Sequence, residues 1–116
     1  MSQPLARGSV VTVRFDPAVG SEIRRTRPAV IVSNDAACRF DAVVQVVPVT
    51  GLPKRELRPY EARIGSTSSG VERPSRAVAN QIRTISKKRI GGVIGRLENG
   101  EQSDLDVALE IQLGLR

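Results

Sequence analysis

The 116-residue sequence offers a narrow set of groups for chemistry. It has no histidine and no tryptophan, one cysteine (Cys38), and three aromatics, Phe15, Phe40 and Tyr60. A histidine general base, a Ser-His-Asp or Cys-His constellation, and a zinc site of Cys and His ligands are thereby excluded, since each needs residues the chain lacks. A lone cysteine closes no internal disulfide, so nothing asks for an oxidising compartment. What is abundant is arginine: 15 Arg and 3 Lys stand against 12 acids, for a net charge of +6. A guanidinium grips phosphate through two parallel hydrogen bonds where an ammonium is only a point charge, so an Arg-dominated surface suits a nucleic acid or another polyanion. The same excess would also serve solubility alone. It is unevenly spread: residues 1–96 carry 17 basic and 7 acidic side chains, whereas residues 97–116 set Arg116 against Glu98, Glu101, Asp104, Asp106 and Glu110.

Any site must be carried by elements that the hydrophobic pattern betrays. The length, and an apolar fraction of 40%, fit one compact domain spanning residues 1–116. Residues 9–15 are rich in β-branched types and end in the turn-forming cluster 16–20, which predicts a first strand. The polar, basic loop 21–27 leads into two nearly continuous apolar runs, 28–34 and 43–49, read as buried central strands. Pro48 has no N–H for a ladder, so a bulge or a sheet edge is expected there. A basic, proline-bracketed loop (51–59) precedes a short strand at 60–64 and a turn-rich link at 65–70. Further strands are expected at 77–82 and 92–97, with a turn or helical piece near 86–89. Leu105, Ala108, Leu109 and Leu113 then form a stripe on helical spacing, so one amphipathic helix is expected from about Ser103, capped by Ser103 or Asn99. The fold class is mainly β with helices (α+β): a small curled barrel of about five to seven strands with a C-terminal helix. The start, Met1-Ser2-Gln3-Pro4, lacks the basic and apolar regions of a leader, and no apolar run approaches the ~18 residues of a membrane span, so a cytoplasmic protein is expected.

Five short motifs recur in a telling order: Arg7-Gly8, Gly20-Ser21-Glu22 followed by Arg27-Pro28, Ser33-Asn34-Asp35, Val47-Pro48-Val49-Thr50, and Asn80-Gln81-Ile82-Arg83-Thr84-Ile85. From about Arg7 to Leu115 the chain resembles the MazF/PemK toxins, the endoribonucleases of type II toxin–antitoxin modules. The resemblance implies an SH3-like barrel, a homodimer, and sequence-specific cleavage of single-stranded RNA without ribosome, metal or cofactor. Attack by the 2′-hydroxyl would leave a 2′,3′-cyclic phosphate and a free 5′-hydroxyl. It also implies a cognate MazE-like antitoxin whose acidic, flexible tail blocks a basic groove. The sequence departs from many members at Asn80, where they carry an acid, and at Pro74, where they carry another residue.

The same resemblance assigns roles by position. The family's catalytic arginine matches Arg27, beside the rigid Pro28. With a pKa above ~12 a guanidinium suits charge stabilisation and donation toward a leaving oxygen. Thr50 matches the catalytic threonine, whose hydroxyl can donate to a non-bridging phosphate oxygen. Glu22, five residues before Arg27, is the nearest group to accept the 2′-hydroxyl proton or to orient the arginine. Ser21, Asn34 and Gln81 match substrate-contacting positions, and amide side chains read base edges. Arg83 and the loop residues Lys54, Arg55 and Arg58 are expected phosphate contacts. Two alternatives share the architecture: a non-enzymatic toxin that inhibits DNA gyrase, as CcdB proteins do through their C-terminal helix, and a nucleic-acid-binding module without activity. Neither needs the Arg27 and Thr50 pair.

Overall fold

The computed structural model describes residues 4–16, 19–22 and 25–116. Seven antiparallel strands form one strongly curled sheet: β1 (Ser9–Arg14), β2 (Thr26–Ile31), β3 (Val43–Gly51), β4 (Glu61–Ile64), β5 (Ser75–Val78), β6 (Arg83–Ser86) and β7 (Ile90–Arg96). Their order is β4-β5-β3-β2-β1-β7, with β6 also paired to β3. Two helices complete the fold, α1 (Asp35–Phe40) and α2 (Asn99–Gln112). The expected α+β class is what the chain adopts. Parts of the expected 16–20 turn and 21–27 loop, at positions 17–18 and 23–24, lie outside the described residues.

Strict alternation along β1, β2 and β3 sends side chains to two cores. Val10, Val30, Val47 and Val49 meet Leu105, Ala108 and Leu109 of α2 on one face. Val11, Val13, Phe15, Ala29, Ile31 and Val46 pack with Cys38 of α1 on the other. Both faces are therefore buried, which is why residues 28–34 and 43–49 read as unbroken apolar runs.

Strand β3 is the hub. Its first half pairs with β2 on one flank and β6 on the other (Val46↔Arg83), and its end pairs with β5 (Val49↔Ala77). The neighbour on that second flank changes at Val47 and Pro48, and a 3₁₀ turn over Ala79–Gln81 carries the chain from β5 to β6. The run expected as one strand at 77–82 is thus split in two. Pro48 accounts for the position of the break. The Val32 N–H donates to the Gln45 carbonyl at 3.0 Å, so alternation puts Pro48 at a non-hydrogen-bonded position against β2 and turns its nitrogen toward the changing flank. Its missing donor falls where no ladder runs, in a central strand rather than at an edge.

The two ends of the sheet are not joined by a ladder. A 3₁₀ turn over Thr67–Ser69 lies against β7 in their place, and two glycines permit the approach. A Cβ at Gly95 would sit 2.3 Å from the Ser69 carbonyl carbon, and one at Gly70, whose φ is 76°, would sit 2.1 Å from the Ile94 oxygen. The carboxylate of Glu101 fastens the start of that turn, accepting from the N–H groups of Gly65 (2.8 Å) and Ser66 (3.0 Å) and from the Ser66 hydroxyl. It also accepts from the Glu98 N–H at 3.1 Å, which makes Glu98 the N-cap and starts α2 at Asn99, four residues before the expected Ser103. Burial pushes the Glu101 pKa up, but these hydrogen bonds, led by the Ser66 hydroxyl, outweigh it and leave it lowered. Helix α1 was absent from the sequence expectation. Asn34 caps it, its Oδ1 accepting from the Ala37 N–H at 2.9 Å.

The loop after β3 is folded back by a buried carboxylate. Glu61, with a side chain only 2% exposed, accepts from Arg55 Nη1 (2.7 Å) and Nη2 (3.1 Å), from Arg76 Nη1 (2.8 Å) and from the Arg58 N–H (2.7 Å). The Arg55 hydrogen bonds, opposed by burial and helped by the Arg58 N–H and the Arg76 charge, hold its pKa down to about 2.

Two predictions follow from these contacts. Gly95→Ala should lower stability by ~1–3 kcal/mol because only backbone could yield, whereas Gly100→Ala, in open space on α2, should raise it by up to ~1 kcal/mol; thermal unfolding of both variants measures the contrast. For Glu61 the folded pKa lies below the ordinary 4.5, so its contribution, on the order of 3 kcal/mol, is present above pH 4.5 and is lost as pH falls toward 2. Urea titrations across that window should show this acid limb in the wild type and its absence in Glu61→Gln.

Candidate active site

The sheet brings Arg27 and Thr50 together. The β2–β3 pairs Ala29↔Pro48, Val30↔Val47 and Ile31↔Val46 define a register that, continued two residues, sets Arg27 opposite Thr50. Both are half-buried and line one cleft of about 380 Å³ where β2 begins and β3 ends. The floor is built from Thr12, Pro28 and Val49, and the far wall from Gly70 to Arg73 with Ser75 and Ile94. Across the β3–β5 ladder Thr50 pairs with Arg76, and across β5–β4 Arg76 pairs with Arg63. Thr50 therefore stands in a transverse row with arginines on either side. Arg76 is committed to Glu61, which fixes the strand beside Thr50 rather than offering a charge to the cleft.

Ser21, Glu22, Gln81 and Arg83 are brought together elsewhere. A second cleft, of about 410 Å³, is lined by Phe15, Glu22, Pro48, Asn80, Gln81 and Arg83 among others. The Gln81 Nε2 donates to the Ser21 carbonyl at 3.1 Å, and Arg83 lies 3.8 Å from the Glu22 carboxylate. The Arg83 guanidinium also covers the Phe15 ring, 5.5 Å from its centroid. These contacts tether the β1–β2 loop to the 3₁₀ turn at Ala79–Gln81. Strand β3 divides the two clefts, giving Pro48 to one and Val49 and Thr50 to the other. Glu22 accordingly faces Arg83, and the carboxylate that lines the Arg27 cleft is Glu72.

Asn34 is brought to neither cleft. It lies beyond the far end of β2, and the strand from Arg27 to Ile31 alone is about 13 Å long. Of the basic loop, Arg55 is occupied by Glu61, while Lys54 and Arg58 are exposed. Sequence reasoning missed Glu72 and Arg73. The only sign of them was a Glu-Arg-Pro triplet after Gly70, in a stretch that otherwise reads as turn.

Two other groups bear on the chemistry. Burial pushes the Cys38 thiol up, so its nucleophilic form is suppressed. Among the described residues no group of three or more His, Cys, Asp or Glu side chains is arranged to hold a metal ion.

Comparison with known proteins places this geometry in a family. Residues 6–113 match the model of the PemK-like, MazF-like toxins of type II toxin–antitoxin systems. The chain is 39% identical to Endoribonuclease MazF9 of Mycobacterium tuberculosis, covering 96% of this chain and 98% of that protein. It is 34% identical to Endoribonuclease EndoA of Bacillus subtilis, covering 94% of each. Among solved structures, an endoribonuclease in complex with its cognate antitoxin from Mycobacterial species superposes with a TM-score of 0.79 at 25% identity, covering 97% of both chains. MazF of Deinococcus radiodurans shares the fold with a TM-score of 0.83 at 23% identity, over 97% of this chain and 99% of that one. A match over nearly the whole length, on a sheet that sets Arg27 opposite Thr50, makes this chain a member of the PemK-like, MazF-like toxins of type II toxin–antitoxin systems.

Proposed function

We propose that the chain is an endoribonuclease toxin that cleaves single-stranded RNA at short recognition sequences, and that a single domain carries the activity. The observation that carries this is the shared cleft of Arg27 and Thr50. In-line attack by a 2′-hydroxyl builds negative charge on the non-bridging oxygens of the scissile phosphate. A half-buried guanidinium on one strand and a hydroxyl on the facing strand suit that charge from two sides. The new O2′–P bond replaces the P–O5′ bond, and a 2′,3′-cyclic phosphate and a 5′-hydroxyl result. None of these roles needs a histidine, a metal or a cofactor.

Ser21, Glu22, Gln81 and Arg83 then serve the flanking nucleotides. Gln81 and its neighbour Asn80 supply amides for base edges, and Arg83 supplies a flat cation that pairs with a phosphate or stacks under a base. Asn34 serves as the helix cap it is seen to be. The toxin works as a homodimer in the cytoplasm, with a MazE-like antitoxin whose acidic, flexible segment competes for the same basic clefts. No helix is long and apolar enough to cross a membrane. The names of the relatives favour RNA cleavage over gyrase binding.

Incubating the protein with mixed-sequence RNA in excess EDTA tests this reading. Cleavage should persist in chelator and leave cyclic-phosphate ends, and Arg27→Ala and Thr50→Ala should each lower the rate at least about 100-fold. Intact RNA with altered mobility would identify a binding module, and growth arrest that survives Arg27→Ala with gyrase bound would identify the gyrase inhibitor. RNA affinity should also fall steeply between low and physiological salt.

A further inference from the structure

The Arg27 cleft contains a cation and a hydroxyl, and the cleavage just proposed also needs an acceptor for the 2′-hydroxyl proton. Glu22 is held against Arg83 on the other side of β3. Among the described residues, one carboxylate lines the Arg27 and Thr50 cleft, and it is Glu72. It is exposed and, like its neighbour Arg73, takes part in no side-chain hydrogen bond or ion pair among the described residues. The segment carrying it is unusually well fastened for a loop. Glu101 holds the N–H groups of Gly65 and Ser66, and the Ser69 hydroxyl donates to the Ser66 carbonyl at 2.6 Å. Gly70 closes the turn in the left-handed region against β7. On the far side, Pro74 restricts the backbone and Ser75 pairs with Gly51, the residue after Thr50. Two unspent, opposite charges are thus delivered to the rim of the cleft from anchored backbone, which is how a rigid frame presents reactive groups.

We propose that Glu72 is the catalytic base of this cleft and that Arg73 is a second cation for the scissile phosphate. This rests on the endoribonuclease reading above. The Glu72 carboxylate takes the proton from O2′; the O2′ lone pair forms the bond to phosphorus; the P–O5′ bond breaks with its electron pair on O5′. O5′ takes a proton from the Arg27 guanidinium, and solvent returns the proton from Glu72 to Arg27, so the enzyme ends as it began. Arg27, Thr50 and Arg73 hold the non-bridging oxygens throughout.

Single-turnover cleavage of one RNA by the full chain tests the assignment. Glu72→Gln should lower kcat roughly 100-fold or more with KM nearly unchanged, Glu72→Asp should recover part of it, and Glu56→Gln, outside both clefts, should match the wild type. Thermal unfolding of Glu72→Gln should be unaltered, as befits an exposed side chain. A substrate whose leaving O5′ is replaced by sulfur needs no proton at the leaving atom, and the Glu72→Gln defect should persist on it. The assignment falls if that defect vanishes on the sulfur substrate, if only KM changes, or if Glu22→Gln rather than Glu72→Gln abolishes kcat. Wild-type protein that leaves RNA intact would instead dismiss the endoribonuclease reading itself.

Discussion

The pairing of β2 with β3 is the constraint on which the rest depends. Antiparallel register is fixed wherever both faces of a sheet are buried, because a slip of one residue would turn every core side chain to the wrong side. Here Ala29, Ile31 and Val46 enter one core and Val30, Val47 and Val49 the other, so the register has no freedom. Arg27 and Thr50, 23 positions apart in sequence, inherit their juxtaposition from that apolar pattern. The site is thus positioned by residues that never touch substrate.

Charge is deployed with similar economy. A net charge of +6 suggests many free cations, but several arginines are structural. Arg55 and Arg76 surround Glu61, Arg7 pairs with Asp106 at 2.6 Å, and Arg89 donates to the carbonyls of Arg14 and Asp16. Arg76 sits directly across the ladder from Thr50 yet is turned to the buried carboxylate. The cations offered to an incoming polyanion are those at the cleft rims. Arg73 is one; Arg83 is another, held only by a long contact to a half-exposed Glu22. A phosphate can displace such a contact at little cost, since exposed ion pairs contribute ~1 kcal/mol or less.

What the sequence made legible was what periodicity and types control. The β-branched runs, the C-terminal amphipathic stripe and the α+β class could be read directly, and the motif order pointed to Arg27 and Thr50. The alternation of residues 77–82 could not reveal that β3 changes neighbours at Pro48, because the break lies in pairing, not in composition. Helix α1 is six residues long, too short for a periodic signal, and Asn34 looked like a base reader because its capping role depends on a helix that was not foreseen. Glu22 is near Arg27 along the chain, and only the sheet shows that β3 lies between their clefts. Glu72 is 45 residues from Arg27 in a turn-like stretch, so nothing short of three dimensions could connect them.

A double-mutant cycle on the cleavage rate tests most directly whether Arg27 and Thr50 act on one phosphodiester. Two groups that stabilise the same developing charge form a unit, and removing the second after the first should cost far less than removing it alone. The Arg27→Ala/Thr50→Ala protein should therefore cleave about as slowly as the slower single variant, a coupling of more than about 1 kcal/mol. Losses that simply multiply would show two groups working on different parts of the substrate, and would contradict the account.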